Sequence, residues 1–158
     1  MNRPAKDSAG SSRVLKVVRK DNQIVIPSSL EYLPKVDVFV ENRLKKLGLD
    51  KDQIADIAIS VSEAVTNAVV HGNKNDLNKT VWISLKADSS SVEVTVEDEG
   101  GSFDPVCVES PIEAKNLLKK AGRGIFILTA LMDKVDFFCE PNKGTKVKMT
   151  KIIAKGPC

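Results

Sequence analysis

Glu63 and Asn67 stand four residues apart in the run Ser62-Glu-Ala-Val-Thr-Asn-Ala-Val-Val-His-Gly72, so a helix would stack them on one face. A carboxylate can take a proton and a carboxamide oxygen can ligate a hard cation. Held one turn apart, the pair suits a divalent metal or a proton transfer. On the helix alone, an ordinary polar edge with two solvated groups fits better. Three more stations follow: Asp98-Glu-Gly100-Gly-Ser102 directly after a predicted strand, Gly122-Arg-Gly124 opening an apolar helix, and Gly144-Thr145 before another strand. A strand-terminal Asp followed by Gly offers an acceptor beside backbone that a flat ligand can approach closely. Gly-x-Gly at a helix start exposes N–H groups to phosphate. Each signal is weak alone, because glycine pairs usually just turn the chain and a strand-end Asp is usually a cap. In this order across one predicted sheet they form a nucleotide constellation.

The elements that must carry these stations can be read from period and punctuation. Ile54, Ile57, Val61, Val65 and Ala68 recur at helical spacing, Asp50 can cap their helix, and Gly72 ends it after Val70. A preceding helix is expected over about Leu30–Leu47, with Leu33, Val36, Phe39, Val40, Leu44 and Leu47 on one face. Ser28 or Ser29 can cap it, Gly48 stops it, and Pro34 allows the regular helix to begin there. Strands are expected at 23–26, 81–85, 92–96, 135–139 and 146–153, and an apolar helix over Ile125–Met132. Val14–Val18 with Ile24–Ile26 reads as a hairpin or as one strand after a tail, the strand at 23–26 being the firmer part. Residues 105–121 read as an irregular or partly helical loop. The order predicts an α/β two-layer sandwich, a mainly antiparallel mixed sheet with helices on one face.

The 158 residues suffice for one domain with a sizeable core, expected over 13–153 between a disordered leader at 1–12 and a basic tail at 154–158. The 42% hydrophobic and 28% charged fractions fit a soluble globular protein, and one Trp, one Tyr and five Phe leave few base-stacking platforms. Residues 1–20 and 143–158 each carry +5; since the whole is +3, the middle carries −7. Charged tails are ordinarily solvated, and no recognition motif accompanies these, so nucleic acid is not an expected partner. Cys107, Cys139 and Cys158 are odd in number and without paired spacing. That argues against a disulfide framework or zinc site and for a reducing cytoplasm. No apolar run approaches ~18 residues, so no membrane span is expected.

Taken together, the stations resemble the N, G1, G2 and G3 boxes of the Bergerat-fold (GHKL) ATPases. The wording of 62–72, with Gly122-Arg-Gly-Ile-Phe-Ile-Leu and Leu131-Met-Asp133, is similar to one branch, the bacterial anti-sigma-factor serine/threonine kinases. The resemblance covers roughly residues 23–153. It implies a Mg·ATP-dependent kinase that phosphorylates a STAS-domain anti-anti-sigma partner, sequesters a sigma factor and forms a homodimer. It implies Asn67 as the Mg²⁺ ligand and Glu63 as general base. Asp98 would accept from the adenine amino group, with Gly100 under the ring. Residues 105–121 would form the ATP lid, with the amides of Gly122, Arg123 and Gly124 at the phosphates. Thr145 would close the adenine side, and Lys35 would contact partners. Ser102 departs from the family's Asp-x-Gly-x-Gly at the second glycine, where a positive φ would cost on the order of 1–2 kcal/mol. This departure keeps open a nucleotide-gated binding module without useful kinase activity. His71, the one histidine, fits a structural place at a helix C-terminus better than a catalytic one.

Overall fold

The structure is a computed structural model that describes residues 16–100, 123–140 and 144–153. Among these residues six strands form one sheet in the order β1-β2-β3-β4-β6-β5, and every pairing is antiparallel. The strands are β1 (Val18–Lys20), β2 (Gln23–Pro27), β3 (Thr80–Ala87), β4 (Ser91–Glu97), β5 (Lys134–Glu140) and β6 (Gly144–Ile152). Three helices, α1 (Leu33–Lys46), α2 (Lys51–Asn67) and α3 (Arg123–Leu131), cover one face. The expected two-layer sandwich is the observed one.

Period-2 alternation decides which strand face is buried. Val92, Val94 and Val96 of β4 are buried while Ser91, Glu93, Thr95 and Glu97 are half-buried on the other face. With Ile24, Ile26, Val81, Ile83, Leu85, Val147 and Met149 they make the sheet's half of the core. The helices answer with Val36, Val40 and Leu44 from α1, Ile57, Val61, Ala64 and Val65 from α2, and Ile125 and Leu128 from α3. Complete burial of a side chain such as Leu128 contributes about 1.5–3 kcal/mol, and aliphatic residues supply nearly all of it here. Lys151 Nζ adds a polar tie, donating to Asp56 Oδ2 of α2 at 3.1 Å and to the Leu131 carbonyl at the end of α3 at 2.7 Å.

Several boundaries differ from the sequence expectation for local reasons. Residues 18–20 do pair with β2, making the hairpin real, with Asp21 and Asn22 as its turn. All three β1 residues are exposed, so no buried face marked the strand. A 3₁₀ turn at Leu30–Tyr32 precedes α1, with the Ser29 hydroxyl accepting from the Glu31 N–H; Pro34 sits in the first turn of the α-helix proper. Asp50 caps α2 as expected, and Gln53 closes a capping box with it. The helix does not run evenly to Val70. It is α-helical to Asn67 and then widens into a π turn over Ala68–Gly72, closed by the Asn73 N–H donating to the Ala68 carbonyl at 2.8 Å. Cys139 is disulfide-bonded, although the cysteine count and spacing argued against a disulfide framework. An odd count leaves one cysteine over without preventing two from pairing, and the partner lies outside the described residues. So do the expected lid at 105–121, Ser102, Gly122 and both chain termini. No described helix is long and apolar enough to cross a membrane.

Candidate active site

Two clusters form where the helical layer meets one end of the sheet. The first joins α2 to the opening turn of α3. Gly124 lies so close to α2 that a Cβ there would stand 2.8 Å from Glu63 Oε2 and 3.4 Å from Asn67 Nδ2. The first turn of a nine-residue helix thus faces a carboxylate and a carboxamide at once. Unsatisfied N–H groups and the positive end of the helix dipole make such a turn favourable for phosphate. Asn67 Nδ2 is buried and has no hydrogen-bond partner among the described residues. Leaving a buried amide nitrogen unpaired costs about 1–3 kcal/mol, which a ligand with acceptor oxygens would remove. The oxygen of the same group is a hard donor of the kind Mg²⁺ accepts. The residues therefore fit a magnesium–phosphate group.

The second cluster surrounds Asp98, which is 5% exposed. Its Oδ1 accepts the N–H of Gly100 at 2.9 Å and of Thr145 at 3.0 Å. Its own N–H donates to the Thr145 carbonyl at 2.9 Å, extending the β4–β6 ladder by one rung. Two donors on one oxygen fix the carboxylate's rotation and stabilise its charge. A Cβ at Gly72 would overlap Asp98 Oδ2, and one at Gly144, whose φ is +97°, would overlap the Asp98 carbonyl. Only glycine allows both approaches. Gly100 is itself buried and packs against the Gly72 carbonyl. The result is an oriented acceptor beside bare backbone, which can take an amino-bearing planar ring.

The π turn connects the clusters, since Asn67 opens it and Gly72 ends it against Asp98. Π turns often mark functional sites. Of the sequence-predicted residues, the structure brings Glu63, Asn67 and Gly124 together, and separately Asp98, Gly100 and Thr145. Arg123 opens α3. Lys35 belongs to neither group: it is exposed on α1, with its ammonium 6.0 Å from the Tyr32 ring centroid. His71 is exposed in the π turn. Sequence reasoning missed Gly72, read only as a helix stop, and the buried Asn73 and neighbouring Glu99. Each is a residue type that turns commonly use, and no spacing set them apart.

Comparison with known proteins identifies the family. Residues 26–151 match the family described as the histidine kinase-like ATPase domain. The serine-protein kinase RsbW of Staphylococcus aureus is 34% identical over 137 residues, 82% of this chain and 85% of that protein. The anti-sigma F factor of Oceanobacillus iheyensis is 35% identical over 120 residues, 75% of this chain and 82% of that protein. A solved structure of the RsbU and RsbW domains of Rv1364c from Mycobacterium tuberculosis superposes with a TM-score of 0.58 at 23% identity. That match covers 82% of this chain but only 31% of the larger one, and it speaks to the fold. Both sequence relatives are covered over most of their length, and membership makes ATP the nucleotide this chain uses. The chain belongs to the histidine kinase-like ATPase family, within its branch of anti-sigma-factor serine-protein kinases.

Proposed function

We propose that the protein transfers the γ-phosphate of Mg·ATP to a serine or threonine of a STAS-domain anti-anti-sigma protein, and that it also sequesters a sigma factor, as a homodimer in the cytoplasm. The observation that carries this reading is the convergence of Glu63 and Asn67 on Gly124. It brings a carboxylate, a carboxamide and the opening turn of a helix into one small volume, which supports the roles of base, metal donor and phosphate site.

In this reading Asp98 accepts from the adenine amino group, while Thr145 and Gly100 hold its carboxylate and close the base side. The N–H groups around Gly122 to Gly124, with Arg123, meet the phosphates. Magnesium, held by the Asn67 oxygen, would neutralise charge on the β- and γ-phosphates. Glu63 takes the proton from the partner's hydroxyl as that oxygen bonds to the γ-phosphorus. The bond to the β-phosphate oxygen breaks, and ADP leaves with the electron pair. Because Glu63 Oε2 already lies against the α3 opening turn, little movement is needed to bring base and phosphate into reach. Lys35, exposed on α1 and away from both clusters, suits a contact with a protein partner rather than with nucleotide.

The test is label transfer from ATP to candidate STAS proteins by the full chain. Glu63→Gln should keep ATP binding and lower transfer by about 10²–10⁴-fold, the usual contribution of a general base. Transfer by Glu63→Gln at the unmodified rate, or ATP binding with no transfer to any STAS partner, would overturn the proposal.

A further inference from the structure

We infer that Asn73 is a positioning residue for base recognition, acting through the Asp98-Glu99-Gly100 backbone. The inference rests on the reading of Asp98 as acceptor for the adenine amino group. Asn73 is 1% exposed. Its Nδ2 donates to Ser28 Oγ at 2.6 Å and to the Thr80 carbonyl at 2.9 Å, and its Oδ1 accepts the Glu99 N–H at 2.8 Å. One carboxamide thereby joins the residue after β2, the first residue of β3 and the loop leaving β4. The backbone of Asn73 is separately engaged, its N–H closing the π turn on Ala68. The side chain is therefore not spent on ending the helix.

The second half of the brace is Glu99. Its carboxylate accepts the Thr80 N–H at 2.7 Å and the Thr80 hydroxyl at 3.1 Å. Glu99 is held by its backbone from Asn73 and by its side chain from Thr80, and it lies between Asp98 and Gly100. The Gly100 N–H, on the next peptide, can donate to Asp98 Oδ1 only while the Glu99 backbone keeps its orientation. On the opposite side, Asp98 Oδ2 abuts Gly72, the residue immediately before Asn73. Asn73 thus governs the Gly100 donor to the carboxylate and the wall behind it, while the Thr145 donor comes from the strand ladder. Without the carboxamide, the Glu99 N–H and the Thr80 carbonyl lose buried partners and the peptide is released to turn.

The experiment compares binding of Mg·ATP and Mg·inosine triphosphate, which carries a carbonyl in place of the amino group. Direct titration of the full chain measures both. The unmodified protein should prefer ATP by roughly tenfold or more, the worth of one hydrogen bond to a charged group. Asn73→Ala should bring that ratio to within about threefold. Ser28→Ala, which removes an acceptor of Asn73, should shift it in the same direction, and it decides the matter alone if Asn73→Ala does not fold. Lys151→Met, which breaks the tie to Asp56 and Leu131, should lower stability and leave the ratio unchanged. A ratio retained in both brace variants, whatever their melting temperatures, overturns the role of Asn73 and leaves Asp98 as base reader. Equal binding of the two nucleotides by the unmodified protein overturns the reading of Asp98, and the role of Asn73 with it.

Discussion

Gly124 shows how little room single residues have in this site. A methyl group there would come within 2.8 Å of Glu63 Oε2, the mobile end of a side chain, so the carboxylate can swing aside at small cost. Alanine also favours a helix over glycine by about 0.5–1 kcal/mol. Gly124→Ala should therefore keep or slightly raise the melting temperature while slowing phosphate transfer, by up to about 10²-fold for a base displaced by ~1 Å. Parallel melts and rate measurements would check it, and an unchanged rate would mean that Glu63 does not need its observed place. At this scale Glu63 and Asn67, an ordinary polar edge on the helix alone, became legible only beside the Asp98-Glu-Gly100 and Gly122-Arg-Gly124 stations downstream. Asn73 and Glu99 escaped because a polar residue beside a glycine is what turns commonly use. Burial and partners on distant segments made them visible.

Among the elements, α2 carries the candidate site at its C-terminal end and its best local start signal at the other. The Asp50 carboxylate accepts the Gln53 N–H at 2.8 Å, and the Gln53 side chain accepts the Asp50 N–H at 3.1 Å. Asp50→Ala should cost about 0.5–2 kcal/mol, seen as a lower denaturant midpoint, with ATP affinity unchanged because Glu63 lies more than three turns away. A comparable loss of ATP affinity would show that the cap and the site are coupled. Helix and strand identity followed from periodicity throughout, and boundaries erred where periodicity carries no information. β1 has no buried face, the 3₁₀ turn before α1 uses ordinary helix residues, and a π turn inserts a single residue that the apolar pattern of Ala68 and Val69 absorbs without a break.

For the molecule as a whole, nucleotide binding and folding are linked. Mg·ATP at 100-fold over Kd should add about 2.7 kcal/mol of stability, read as a rise in melting temperature. Asp98→Asn should abolish that rise relative to its own unliganded melt; a full rise in this variant would remove Asp98 from the nucleotide site. Sequence order implied one antiparallel sheet with helices on a single face, but it did not give the neighbour relations, because pairing across long separations leaves no local trace. The placement of β6 between β4 and β5 is the case that matters. Asp98 and Thr145, which meet through two hydrogen bonds, are 47 residues apart in the chain. Loop closure on that scale must precede any reward from the contact. During synthesis, everything through β4 can emerge with α1 and α2 already available to cover it, yet the proposed base-binding corner cannot exist until β6 has left the ribosome. On the proposed reading of Asp98, the nascent chain is therefore blind to ATP until Thr145 has emerged and paired with it.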